Sequence, residues 1–159
     1  MSSVVHKDRD RAFRLGESTF TTILAFSDET EGRHDFTDTY QGAGHRTPLH
    51  MHTRYEERFW VVEGSLHVWA GDEVLTLRSG DFYAIAMGTP HALQMGPTGC
   101  RALQVSSPAG LSELIRRAGI PERLVNAGLT FTPEPFGEVA ADLGDIILGP
   151  PGAVPGSRT

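Results

Sequence analysis

Apolar and polar residues alternate with a period of two through much of the first two thirds of the chain. Leu66-His67-Val68 and Leu75-Thr76-Leu77 show it most clearly. Successive side chains on a β-strand face opposite sides, so this period marks strands with one buried face. Runs over 19–26, 34–41, 47–52, 57–63, 65–70, 73–77, 81–85, 91–95 and 100–106 are the predicted strands. Turn residues such as Gly71-Asp72 and Ser79-Gly80 punctuate them. Short strands with no helices between them predict an antiparallel sandwich or barrel.

After Ser107 the period changes. Ser107-Pro108 offers an N-cap followed by proline at the first helical position. Leu111, Leu114, Ile115 and Ala118 then recur at helical spacing, and Gly119 can end the helix. A second helix is predicted from Thr132-Pro133-Glu134, with Phe136, Val139, Ala140 and Leu143 as its apolar stripe and Gly144 as its stop. The expected organisation is an irregular arm over 1–18, a β-barrel over 19–107, a helical segment packed on it over 108–148, and a flexible Gly/Pro-rich tail over 149–159.

Composition narrows the class. A chain of 159 residues is long enough for one domain with a real core. A net charge of −6 without a basic cluster argues against nucleic acid as a partner. No apolar run is long enough to span a bilayer, and the N-terminus lacks the apolar stretch of a signal peptide, so the expected location is the cytoplasm. The single cysteine, Cys100, excludes an internal disulfide and is expected to act as a small buried hydrophobe.

Four residues carry the candidate chemistry: His50, His52, Glu57 and His91. Three imidazoles and a carboxylate suit a divalent transition metal. Positions 50 and 52 share one strand face, with Met51 turned away. Glu56 competes with Glu57, but only Glu57 shares a face with Phe59 and Val61. Of the remaining histidines, His6 and His67 are expected to be bystanders. His45 is expected at an exposed rim, and His34 at a strand end or in the pocket wall.

This constellation resembles the cupin superfamily. Gly44, His50, His52, Glu57 and Gly64 meet its first motif, G-x5-H-x-H-x3-4-E-x6-G, in full. Gly80, Gly88 and His91 match the second, G-x5-P-x-G-x2-H-x3-N, with Ala86 in place of the proline and Met95 in place of the asparagine. A looser similarity runs on to Gly149-Pro150-Pro151, as in small bacterial cupins related to quercetin 2,3-dioxygenase. The resemblance implies an all-β fold, a double-stranded β-helix (jelly-roll) barrel, with one or two short C-terminal helices. It implies one divalent metal (Fe, Ni, Mn, Co or Zn) held by His50, His52, Glu57 and His91, with Glu57 doubling as catalytic base. Phe59, Val61, Leu93 and Met95, with Tyr40, are expected to line a dry substrate pocket. Outward-facing Trp60 and Trp69, with family habit, suggest a homodimer. Three functions fit: a dioxygenase acting on an aromatic or enolisable small molecule with O2, a non-redox isomerase, cyclase or lyase, and a metabolite-binding module without turnover.

Overall fold

The computed structural model describes residues 10–125 and 127–156. His6 and the last three residues of the expected tail lie outside that range. The elements are β1 (Ala12–Arg14), β2 (Thr19–Ala25), β3 (Asp35–Gln41), β4 (Pro48–His52), β5 (Glu56–Ala70), β6 (Glu73–Arg78), β7 (Phe82–Ile85), β8 (His91–Ser107), α1 (Leu111–Ala118), β9 (Ile120–Pro121), α2 (Glu122–Val125), α3 (Pro133–Asp142) and β10 (Asp145–Pro151).

Two long strands organise the barrel. β5 and β8 pair antiparallel from Glu56 opposite Ser107 to Ala70 opposite His91. Sequence alternation divides each into two, because the inward parity reverses midway. On β5 the buried positions are Glu57, Phe59 and Val61, then Leu66, Val68 and Ala70. On β8 the inward positions are His91, Leu93 and Met95, then Cys100, Ala102, Gln104 and Ser106, with Ala92 buried on the other face. The slip occurs at register shifts between Val61 and Glu63 and between Gly64 and Leu66. A bulge inserts a residue, bends the strand and moves the buried face to the other parity.

The bend turns one ladder into two facing sheets. One half carries β7, the first part of β5, the second part of β8, then β3, β2, β1 and β9. The other carries β6, the second part of β5, the first part of β8, then β4 and β10. This is the all-β jelly roll that the resemblance implies, and it meets the antiparallel sandwich or barrel expected from the strand pattern. Phe59, Val61, Leu66, Val68, Leu93 and Met95 fill its interior.

The flanking segments depart from expectation. Residues 12–14 of the supposed arm form β1, and Phe13 packs with Ile23 and Ile115. Asp145–Pro151 is a strand on the open edge of β4, so residues 149–151 are not a loose tail. Prolines are tolerated there because an edge strand can forgo ladder donors. α1 starts at Leu111, later than Ser107-Pro108 suggests, and its N-cap residue Gly110 supplies no side-chain bond. The cap comes from β3 instead: Asp35 Oδ2 accepts the backbone N–H of Gly110 at 2.9 Å and of Ser112 at 2.8 Å. A carboxylate at a helix N-terminus satisfies orphan donors and opposes the dipole. α1 and α3 pack through Leu114, Ala118 and Ala140. Among the described residues, no helix is long and apolar enough to cross a membrane.

Gly64 adopts φ +78°, and a Cβ there would drive into the carbonyl oxygen of Gly99. Gly80 has φ +93° with open space around it. Gly80→Ala should therefore cost about 1 kcal/mol of backbone strain. Gly64→Ala should cost about 3 kcal/mol or more, since strain and collision add. Urea denaturation compares the two, and equal losses would contradict a bend that depends on the close approach of Gly64 and Gly99.

Candidate metal centre and cavity

β4 presents His50 and His52 from one strand face, and His50 is the register partner of His91 at the start of β8. The ligating atoms of His50, His52 and His91 lie within 4.8 Å of one another. Two ligands on opposite sides of one transition-metal ion stand roughly 4 Å apart, so the cluster is of the right size. Glu57 joins from β5, with Oε2 3.3 Å from His52 Nε2 and 3.6 Å from His91 Nε2.

The ring nitrogens are sorted by their partners. His50 Nδ1 is 2.8 Å from the Pro48 carbonyl and His91 Nδ1 is 2.9 Å from the Thr89 carbonyl. A carbonyl only accepts, so each Nδ1 carries a proton, and in the neutral ring Nε2 is the atom left with a lone pair. His52 Nδ1 donates to Asp145 Oδ1 at 2.7 Å. Tyr55 stacks on the His52 ring at 4.3 Å and donates its hydroxyl to Asp145 Oδ2 at 3.1 Å. Gln104 Nε2 donates to Glu57 Oε1 at 3.3 Å.

Burial makes these charges interdependent. Burial, then the charges of His91 and His52, push His50 down to about 4, so it is neutral at pH 7. Burial also opposes charge on His52, but hydrogen bonds to Asp145 and Glu57 outweigh it and raise the group to about 9. Burial would raise Glu57, yet the imidazoles of His52 and His91 hold it far below the usual carboxylate range. Tyr55 is pushed up by burial and by Asp145, so it stays protonated and donates.

These residues fit a divalent metal. His91 Nε2 is fully buried and makes no hydrogen bond. A lone pair buried without a partner is costly unless something fills it. Three imidazoles with Nδ1 engaged and Nε2 converging, one of them backed by a carboxylate, form the arrangement that orients histidines on an ion. His50, His52 and His91 could hold it, with Glu57 as a fourth donor.

The cluster borders a cavity of about 300 Å³. Its barrel side is polar, with Thr19, Thr21, Thr39, Gln41 and Gln104 beside His50, His52 and Glu57. Its other side is apolar and comes from the C-terminal segment: Leu111, Leu114 and Ile115 of α1, Phe131, Phe136 and Ala140 at α3, and Ile147 of β10. The expected wall is corrected accordingly. Leu93 lines the cavity, whereas Phe59 and Met95 border only a void of about 10 Å³ deeper in the core. Val61 is fully buried in that core. Tyr40 is 42% exposed, with its ring 6.3 Å from Phe20. The inward positions of β3 are Asp35, Thr37 and Thr39, so Tyr40 is on the outer face, and His34 is exposed at the strand end, just before Asp35. His45 is not at an exposed rim: it is half-buried, lines the cavity and pairs with Ser18. Trp60 is 56% exposed, as its parity implies, and Trp69 is half-buried. Cys100 is buried, which pushes its thiol up to about 11.

Asp145 and Gln104 escape the sequence reading. Gln104 leaves a signal, being a polar residue on the inward face of β8. Asp145 leaves none, since it lies 93 residues from His52 in a stretch that reads as the end of a helix.

Residues 37–105, the stretch that holds His50, His52, Glu57 and His91, match the family model described as Cupin domain. Quercetin 2,3-dioxygenase of Bacillus subtilis (strain 168) is 28% identical over 131 residues, 80% of this chain. The chain spans 39% of that relative's length. Among solved structures, the polyketide cyclase RemF from Streptomyces resistomycificus is 26% identical with a TM-score of 0.57, covering 68% of this chain and 80% of its own. Ectoine synthase from P. lautus shares the fold over 99% of this chain and 96% of its own, with a TM-score of 0.61 and 19% identity.

Asp145→Asn should lower divalent-metal affinity about 10- to 100-fold by removing the carboxylate behind His52. His91→Ala should abolish uptake. His67→Ala should leave it unchanged, because His67 is hydrogen-bonded to Thr76 on β6, away from the cluster. Metal must also displace the proton that His52 holds up to about 9. Apparent affinity should therefore rise about tenfold per pH unit between roughly 7 and 9, with one proton released per ion. Calorimetric titration in buffers of different ionisation enthalpy reads both quantities. Equal losses in all three variants, or no proton release, would contradict the ligand assignment.

Proposed function

We propose that this chain is a metal-dependent dioxygenase acting on an aromatic or enolisable small molecule. One observation carries the reading: a cluster of three histidines with converging Nε2 atoms, of which His50 and His52 line the cavity, faces a wall that is apolar. A divalent ion held there by His50, His52 and His91, with or without Glu57, supplies Lewis acidity and a place for a substrate oxygen and O2. Similarity to quercetin 2,3-dioxygenase supports oxygen chemistry on a flavonol-like substrate.

The chain's own groups divide the remaining work. Two carboxylates line the cavity, Glu57 and Asp145. Asp145 is occupied by His52 and Tyr55. Glu57 is therefore the residue to accept the proton of a phenol or enol, and Gln104 holds its second oxygen. Leu111, Leu114, Ile115 and Phe136 give the apolar body of the substrate its contact and keep water from the reacting oxygen. A non-redox cyclase is the second reading, supported by the likeness to RemF.

Oxygen dependence separates the two. With a panel of flavonols and enolisable ketones, an oxygen electrode should record metal-dependent O2 consumption. Glu57→Gln should keep most of the metal uptake and lose at least about 100-fold in turnover, the scale of general-base catalysis. Turnover that proceeds unchanged without O2 would move the assignment to the cyclase, and tight binding without product in either atmosphere to a binding module.

A further inference from the structure

We infer that the cavity takes a two-ended substrate, with one oxygen at the histidine cluster and a second hydroxyl or carbonyl hydrogen-bonded to Thr19. The inference rests on the function proposed above and specifies the far end of its substrate. Among the described residues, two buried side-chain polar atoms lack a hydrogen-bond partner: His91 Nε2 and Thr19 Oγ1. The first belongs to the histidine cluster. The second is on the cavity wall, in a residue only 5% exposed. A buried hydroxyl is normally paired; the Thr19 oxygen has almost no exposed surface of its own, so a ligand in the cavity reaches it by a turn of this lining side chain.

The neighbouring hydroxyls are already committed, in an order that the chemistry forces. Glu57 as a carboxylate only accepts, so Gln104 donates through Nε2 and keeps Oε1 as an acceptor. Thr37 must then donate to Gln104 Oε1, at 3.4 Å. A hydroxyl has one proton, so Thr39 donates to Thr37 at 3.4 Å and Thr21 to Thr39 at 3.1 Å. This chain runs one way, from Thr21 to Glu57, and it stops one inward position short of Thr19.

The register sets the distance. Thr37 is opposite Gln104, and Thr19 is opposite Gln41. Those two levels of β3 are about 13 Å apart at the usual rise of a strand. Thr19 is thus at the far end of the cavity from the Gln104–Glu57 pair. Between the ends, the facing wall is the apolar surface of α1 and α3. A rigid aromatic body with an oxygen at each end and one face against that apolar wall matches this arrangement.

The test uses Thr19→Val and Thr21→Val. Without ligand, Thr19→Val should hold or raise the melting temperature, because its hydroxyl makes no bond to lose. Thr21→Val should lower it by about 2–4 °C. Zinc-loaded protein, which is redox-silent, is then titrated by fluorescence with 3-hydroxyflavone and with its 4′-hydroxylated analogue. The wild type should bind the analogue about tenfold more tightly. Thr19→Val should lose that preference while keeping its affinity for 3-hydroxyflavone. If Thr19→Val melts as low as Thr21→Val, the hydroxyl is already satisfied and the inference fails. If both flavonols bind the wild type equally, the inference fails while the aromatic-substrate reading stands. If neither binds, the aromatic-substrate reading fails and takes the inference with it.

Discussion

Glu57 and His91 belong to opposite ends of the same ladder. Glu57 is near one end of β5, and His91 pairs with Ala70 at the other. Along a straight strand those levels would stand about 43 Å apart. Yet Glu57 Oε2 is 3.6 Å from His91 Nε2. The β5–β8 ribbon folds over on itself, and the site exists only because it does. Gly64 against Gly99 permits the turn, since a side chain at either position would strike backbone. The accompanying reversal of parity keeps a buried face on both halves. Core and metal centre therefore depend on one bend.

The bend leaves an open side, and the C-terminal segment completes it. Asp35 anchors α1 to β3, α3 packs on α1, and β10 closes the edge of β4. That last pairing brings Asp145 behind His52, where it fixes the ring and the proton on Nδ1. The same segment that forms the apolar cavity wall thus also orients a histidine of the centre. Docking of the C-terminal segment and readiness for metal are linked through one hydrogen bond.

Much of this was legible in the sequence. Period-two alternation marked the barrel strands, and helical spacing marked α1 and α3. Joint spacing singled out His50, His52, Glu57 and His91, which the structure brings together. The rest was hidden for physical reasons. A bulge makes one bent strand look like two, so the continuity of β5 and β8 could not be read. Parity says that Phe59, Val61 and Met95 point inward, but not that this half of the interior is solid. The cavity wall belongs to residues such as Leu111 and Phe136, whose stripe reads equally well as ordinary helix packing. Asp145 and Asp35 act across 93 and 75 or more residues, and no local pattern records such partners.

The central claim is that the fold brings three Nε2 atoms to one ion. Anomalous diffraction at a metal absorption edge, on crystals grown with that metal, tests it directly. The account predicts one peak per chain, about 2.0–2.2 Å from Nε2 of His50, His52 and His91. A peak that leaves out any of the three, or one bound through Nδ1, would contradict it.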